Sequence, residues 1–327
     1  MAVLVTGGAG YIGSHAAREL RRRGHEVILY DNLSRGHRSL ATGFELIEAG
    51  LAERDQLGAA LKRVEAVMHF AAYAYVGESV EHPRRYFQNN AVHGLTLLDA
   101  VLDAGVRVFI FSSSCAVYGM PQHIPVNEDQ PCLPVNPYGF SKLIMERALE
   151  AYASAYGMRY LSLRYFNAAG ADESGEIGPI HDPETRLIPL ALDAMAERRP
   201  PLEILGDDYP TPDGTCIRDY IHVSDLAEAH VLGLEYLREG GNSAVLNLGT
   251  GKGYSIREII HIAEGITGRK VPSRVMPRRP GDPPVLVADA SRARRLLRWK
   301  AERSIEQIIA TAWNWGNKRY SGVDKAD

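Results

Sequence analysis

The chain has 327 residues, 45% of them hydrophobic and 24% charged, with a formal net charge of -3. That length supports a large core in two lobes, and the charge balance excludes a polybasic surface for nucleic acid and an acidic solvating tail, so the expected partner is a small molecule. No apolar run approaches a membrane span, and Met1 leads directly into the strand-like Ala2-Val3-Leu4-Val5 without a secretory leader, which points to a cytoplasmic protein.

Short apolar runs at about 2–6, 26–30, 66–70, 107–111 and 160–164 alternate with longer stretches of helical period at 12–23, 83–104 and 136–156. This alternation predicts an α/β fold with a parallel sheet wrapped by helices. Gly7-Gly8-Ala9-Gly10-Tyr11-Ile12-Gly13 closes the first strand and opens the first helix, satisfying the Gly-x-Gly-x-x-Gly spacing from Gly8. In that context glycines allow a tight turn, and a pyrophosphate can rest on amides at the helix N-terminus. Gly24 stands where the first helix should stop. Asp31 ends the second strand, 18 residues past Gly13. An acid there binds both ribose hydroxyls and repels a 2′-phosphate, which favours NAD over NADP.

Ser112-Ser113-Ser114 follows the run at 107–111, at the end of a strand where open parallel sheets place their ligands. A hydroxyl there can bind a reacting oxygen or belong to a solvated strand end. Next come Tyr138 and Lys142, four residues and one helical turn apart near the start of a helix expected from about Asn136 to Tyr156. Such spacing is shared by surface pairs in which a lysine covers an aromatic ring. It also suits a general base, because a neighbouring cation and the helix dipole favour the phenolate. Beyond about residue 170 Pro and Gly become frequent and helical segments shorten, which predicts a smaller second lobe. The segment 219–249 reads as a helix and a strand, Ala244 to Leu248, that return to the main sheet. Cys115, Cys132 and Cys216 are odd in number and without metal-like spacing, so reduced thiols and no metal are expected.

Gly7 to Gly13, the three serines, and Tyr138 with Lys142 resemble the extended branch of the short-chain dehydrogenase/reductase superfamily. Val76-Gly77-Glu78-Ser79-Val80, Arg164-Tyr165-Phe166-Asn167, Asp208 to Gly214, Arg218 to Val223 and Arg278-Arg279-Pro280-Gly281-Asp282 narrow the resemblance to the UDP-glucose (UDP-galactose) 4-epimerase family, over nearly the whole chain. The resemblance implies a Rossmann-type doubly wound sheet in 1–170, a smaller α/β UDP-sugar lobe in 171–327, tightly bound NAD and a homodimer. It implies Tyr138, Lys142 and Ser114 as catalytic residues. Cofactor contacts are implied for Gly7, Gly10, Tyr11, Ile12, Gly13, Asp31, Asn32, Leu51, Phe70, Ala71, Ala72, Asn89, Ser112, Tyr138, Lys142 and Tyr165. Substrate contacts are implied for Ser114, Tyr138, Asn167, Arg186, Leu187, Leu205, Arg218, Arg279, Asp282 and Leu286, with the two arginines Arg218 and Arg279 on the diphosphate. The implied chemistry is C4 epimerisation through a 4-keto sugar.

Four positions depart from the best-known form of the family. Gly50 replaces an acid at the adenine end, Ala74 a lysine near the nicotinamide ribose, and Arg186 an asparagine at the UDP. Leu286 stands at a gate whose size separates plain from N-acetylated sugars. The same groups serve epimerases of UDP-xylose/UDP-arabinose and UDP-N-acetylhexosamines. A 4,6-dehydratase needs an acidic pair where this chain has Cys115-Ala116, and a non-catalytic NAD-binding regulator has no need of the Tyr138 base.

Overall fold

The computed structural model describes residues 1–279 and 281–323; Pro280 and residues 324–327 lie outside the described residues. In chain order the elements are β1 (Ala2–Thr6), α1 (Tyr11–Arg22), β2 (Glu26–Tyr30), β3 (Glu45–Ile47), α2 (Arg54–Leu61), β4 (Ala66–His69), α3 (Val76–Glu81), α4 (Pro83–Tyr86), α5 (His93–Asp103), β5 (Val108–Ser114), α6 (Pro137–Tyr156) and β6 (Arg159–Tyr165). They continue as β7 (Asn167–Ala169), α7 (Leu187–Met195), β8 (Leu202–Leu205), β9 (Ile217–His222), α8 (Val223–Arg238), β10 (Ala244–Leu248), β11 (Gly253–Ser255), α9 (Ile256–Thr267), β12 (Ser273–Met276), β13 (Val285–Leu286), α10 (Ser291–Leu297) and α11 (Ile305–Lys318).

Seven parallel strands form the main sheet in the order β10-β6-β5-β4-β1-β2-β3. Its winding reverses between β1 and β4, so the loops leaving those two strands open a crevice at the carboxyl ends. Helices α1 and α8 cover one face, and α2, α5 and α6 the other. Both faces being buried explains why the strands read as nearly unbroken apolar runs. β5 is buried along its whole length, and it continues past the apolar run: Ser112, Ser113 and Ser114 still pair with Leu163, Arg164 and Tyr165 of β6. β3 leaves no periodic signal in the sequence, being three edge residues of which Glu45 is exposed and Leu46 and Ile47 are half-buried.

The helix expected over 83–104 runs without a break from 83 to 103 but is widened in its middle. Between α4 and α5 residues 87–92 form a wide π-type turn, and the buried Asn90 in it bonds both the amide and the carbonyl of Tyr73 and the Ser141 hydroxyl. The turn is thereby tied to the loop after β4 and to α6. α6 itself follows the expected bounds. Asn136 accepts from the Gly139 amide at 2.9 Å, Pro137 occupies the first position, and Gly157 ends the helix at φ +68°. Tyr138 therefore lies in the first turn and Lys142 one turn on.

The second lobe is built on β7, β9, β11 and β13, with a separate parallel pair of β8 and β12, and its core lies under α7, α9 and α11. Asp219, buried in β9, accepts from the amides of Thr250, Gly251 and Ala288 and from the Thr250 hydroxyl. Those bonds fix the strand that carries Arg218.

Candidate active site

Two cavities, of about 570 and 430 Å³, open at the carboxyl ends of the strands and share Tyr11, Ile12, Ala74, Tyr138, Tyr165 and His181. Tyr138 stands on the boundary, with Lys142 and Ser112 on the wall of the first cavity and Ser114 on the wall of the second.

The first cavity is a cradle cut by glycine. Gly7 has φ +70°, and a Cβ there would lie 2.5 Å from the Ala71 amide nitrogen; a Cβ on Gly13 would lie 2.2 Å from the Gly7 carbonyl oxygen. No side chain could occupy either place, so backbone amides are left facing the cavity. Gly10 precedes α1 without a capping side chain, which leaves the first-turn N–H groups and the helix dipole for an anion. Asp31 is buried and accepts from the amides of Ala9 at 3.0 Å and Leu33 at 2.9 Å. Burial raises its pKa, with these amides opposing. The dimensions and donor set fit a dinucleotide. Every cofactor residue proposed from the sequence lines this cavity: Gly7, Gly10, Tyr11, Ile12 and Gly13 in the turn, and Asp31 and Asn32 after β2. Leu51, Phe70, Ala71, Ala72 and Asn89 follow, with Ser112, Tyr138, Lys142 and Tyr165 at the inner end.

At Gly50 the amide bonds the Glu53 carboxylate at 2.6 Å and the carbonyl accepts from Tyr30 at 3.0 Å, so the backbone that lacks a side chain is held from both sides. Ala74 removes a cation from the wall, but Arg35 and Arg85, which the sequence reading did not single out, line the same cavity.

At the inner end, the Lys142 ammonium donates to the Ser112 carbonyl at 2.6 Å and lies 5.9 Å from the centre of the Tyr138 ring. The Ser112 and Tyr165 hydroxyls are hydrogen bonded to each other. Ser114 accepts from the Ala116 amide at 3.1 Å. Burial works against the support that Lys142 offers a Tyr138 phenolate. Burial pushes the Tyr138 phenol up to about 12, with a hydrogen bond to Ser114 opposing. Burial brings Lys142 down to about 7, with Glu146 opposing. Both groups are desolvated, and each disfavours its charged form more than the neighbour supports it.

Behind the pair lies a buried ionic group. Arg164 makes a bidentate bond to Glu146 at 2.6 and 2.9 Å, Ser113 donates to the same carboxylate, and Arg164 also donates to the Tyr118 hydroxyl. Ser113 thus faces away from the cavities, while Ser112 and Ser114 face toward them, as strand alternation requires.

The second cavity gathers Asn167, Arg186, Leu187, Leu205, Arg218, Arg279 and Asp282 with Ser114 and Tyr138. Arg279 grips Asp282 through two bonds of 2.8 and 3.0 Å, and Arg218 lies 3.9 Å from the same carboxylate. Two guanidinium groups against one acid leave a net positive charge at one end of the cavity. Arg278 is turned away, paired with Asp208 and lying over the Tyr209 ring. Arg186 does not project as a free cation. It pairs with Glu184, donates to His181 Nδ1 at 2.7 Å and lies 5.0 Å from the Tyr11 ring centre. Burial first, then Arg186, lowers His181 to about 3, so the imidazole is neutral. Leu286 is not in the cavity wall: it is buried against Cys115, Val117 and Phe166, and Phe166 forms the wall instead. Its register partner on β9 is Arg218. Tyr11 stands between the two cavities because its hydroxyl donates to the Gly170 carbonyl at 2.6 Å, joining the glycine turn to the chain after β7.

A parallel sheet whose glycine turn faces one side of Tyr138, with an arginine-rich cavity on the other, defines the extended class of short-chain dehydrogenases/reductases. The sequence profile of the NAD dependent epimerase/dehydratase family matches residues 3–249, and the chain belongs to that family. Within it the similarity is to UDP-glucose 4-epimerases. The enzyme of that name from Rhizobium meliloti (strain 1021) is 46% identical over 322 residues, 98% of each chain. The crystal structure of UDP-glucose 4-epimerase from Brucella ovis in complex with NAD superposes with a TM-score of 0.94 at 50% identity, covering 96% of this chain and 98% of that one. That of UDP-glucose-4-epimerase from Stenotrophomonas maltophila, with bound NAD and formylated UDP-arabinopyranose, gives 0.95 at 42% identity, covering 99% of this chain and 100% of the other.

Proposed function

We propose that this protein is an NAD-dependent isomerase that interconverts UDP-glucose and UDP-galactose at C4 through a 4-keto sugar. The observation that carries the reading is the position of Tyr138, at the junction of a dinucleotide cradle and an arginine-lined cavity. When bound, NAD removes a hydride from the sugar C4 and returns it. Asp31 and the glycine turn hold the dinucleotide, with Asn32, Leu51 and Asn89 along its length. Tyr138 accepts the proton of the 4-hydroxyl and later gives it back, and with the hydride also returned to C4 no net oxidation results. Lys142, on the cofactor side, supports the phenolate together with the charge of the oxidised nicotinamide, which offsets the burial that raises the empty-site pKa. Ser114, on the sugar side, orients the reacting oxygen.

Arg218 and Arg279 take the diphosphate and Asp282 the uridine ribose, with Leu205 and Leu187 against the base and Asn167 beside the phosphates. Anchoring through UDP leaves the sugar to turn within the cavity between loss and return of hydride. Arg186 acts through His181 and Tyr11 rather than on the diphosphate, since its charge is taken by Glu184. The cofactor domain is the main sheet with its helices, residues 1–166 with the return of α8 and β10 and with α10 packed on them, and the sugar lobe takes β7, β9 and the other second-lobe elements.

Exposed Phe87 and Val92 before α5, and Phe140 and Ile144 on the adjoining α6, support a homodimer. Among the described residues no helix is long and apolar enough to cross a membrane, and the three cysteines are free, which supports a cytoplasmic setting. The test is incubation of purified protein with UDP-glucose or UDP-galactose, with and without added NAD, until the epimer ratio is constant. The same final ratio from either sugar is expected; no interconversion even with NAD supplied would sink the proposal.

A further inference from the structure

We propose that Arg35 is a latch over the cofactor cavity, tying the loop after β2 to the opposite rim so that the dinucleotide stays bound between the two hydride transfers. The inference rests on the reading of the first cavity as an NAD site. Arg35 Nη1 donates to the Asp182 carbonyl at 2.6 Å, and Nη2 donates to Glu78 Oε1 at 2.9 Å. The guanidinium carbon lies 5.1 Å from the centre of the Tyr75 ring. One side chain thus joins three pieces of chain: the loop after β2, helix α3, and the second-lobe segment before α7.

The far anchor is itself held. Glu78 accepts from Arg85 at 2.7 Å and from the Tyr86 hydroxyl at 2.8 Å, so it is fixed in place and shared between two guanidinium groups. The near end has no slack either. Leu33 sits at φ +56°, the loop winds around the Asp31 carboxylate, and a Cβ on Gly36 would lie 2.8 Å from that carboxylate. Lifting the loop off the cavity therefore requires Arg35 to release both acceptors. Its side chain is 32% exposed and that of Glu78 18%, so the bonds are only partly screened. An enzyme that must take back the hydride it has removed gains from slow escape of the reduced cofactor, and a bridge across the rim supplies that without touching the chemistry.

The experiment uses the full-length protein loaded with NADH and chased with excess NAD⁺, release being followed by nicotinamide fluorescence and bound cofactor counted after acid release. Arg35→Ala is expected to speed release by roughly tenfold to a hundredfold, the range for losing a charge-assisted hydrogen bond, and to leave loading no slower than in the wild type. Arg35→Met, which keeps the stem on Tyr75, gives the same reading should the alanine variant melt early. Unchanged release in both variants overturns the latch, as does unchanged release with slowed loading, which would make Arg35 a steering charge. No sugar enters the assay, so a protein that binds NADH but epimerises nothing still answers the question. A wild type that binds no NADH defeats the dinucleotide reading itself.

Discussion

Replacing Lys142 with Met in cofactor-stripped protein is expected to stabilise the fold in acid while abolishing turnover. Lys142 is 3% exposed, and burial lowers its pKa from 10.5 to about 7, with Glu146 opposing. Because the folded value lies below the unfolded one, the unfolded chain binds the proton more tightly, so this lysine costs stability whenever it is protonated in the unfolded state. The cost is complete below about pH 7, declines between the two values and vanishes above 10.5. At about 1.36 kcal/mol per pH unit the gap amounts to roughly 5 kcal/mol near pH 6 and roughly 2 near pH 9. The variant also loses the bond to the Ser112 carbonyl, worth about 1–3 kcal/mol. The balance favours the variant by roughly 2–4 kcal/mol near pH 6 and is close to zero near pH 9, or several degrees in melting temperature in acid and almost none in base. Scanning calorimetry at the two pH values checks this. A variant that melts below wild type near pH 6, or a difference independent of pH, would refute the claim that burial sets the Lys142 charge.

Three further outcomes follow from the same geometry. Tyr138→Phe should lower turnover by roughly a thousandfold while bound NAD, measured by absorbance after acid release, stays near the wild-type amount; unchanged turnover would remove Tyr138 from its role as proton acceptor. Arg218→Ala should raise KM for the UDP-sugar by roughly tenfold to a hundredfold with a smaller change in kcat, and more than Arg279→Ala does. Arg279 is half exposed and already paired with Asp282, so steady-state kinetics that rank the two the other way would contradict the assignment. Gly13→Ala should copurify with almost no NAD, since the added Cβ meets a backbone oxygen at 2.2 Å; wild-type NAD content would show that the turn yields.

The residues legible in the sequence were those whose meaning is local. Gly7, Gly13 and Asp31 lie within one strand, turn, helix and strand, and their spacing alone calls for a cradle with an acid beside it. Tyr138 and Lys142 lie on one turn of a helix whose start is marked by Asn136 and Pro137. The family motifs then identified the second-lobe arginines, and the structure brings Arg218, Arg279 and Asp282 to one cavity. The helix expected over 83–104 is present at 83–103, but the π-type turn inside it leaves no mark in the sequence, because it keeps nearly the same apolar pattern while shifting the backbone by a residue.

What remained hidden depends on distance along the chain and on burial. Arg35 meets a carbonyl 147 residues away, Tyr11 a carbonyl 159 away, and Arg164 a carboxylate across a strand and a helix. No spacing rule reaches those pairs. Leu286 aligned with a gate, yet packing beneath β13 withdrew it from the wall. The charge states of Tyr138 and Lys142 depend most on the fold. Sequence places a cation beside a phenol, which alone favours the phenolate. Only the tertiary structure buries both groups, and burial works against the charged form of each, raising Tyr138 and lowering Lys142.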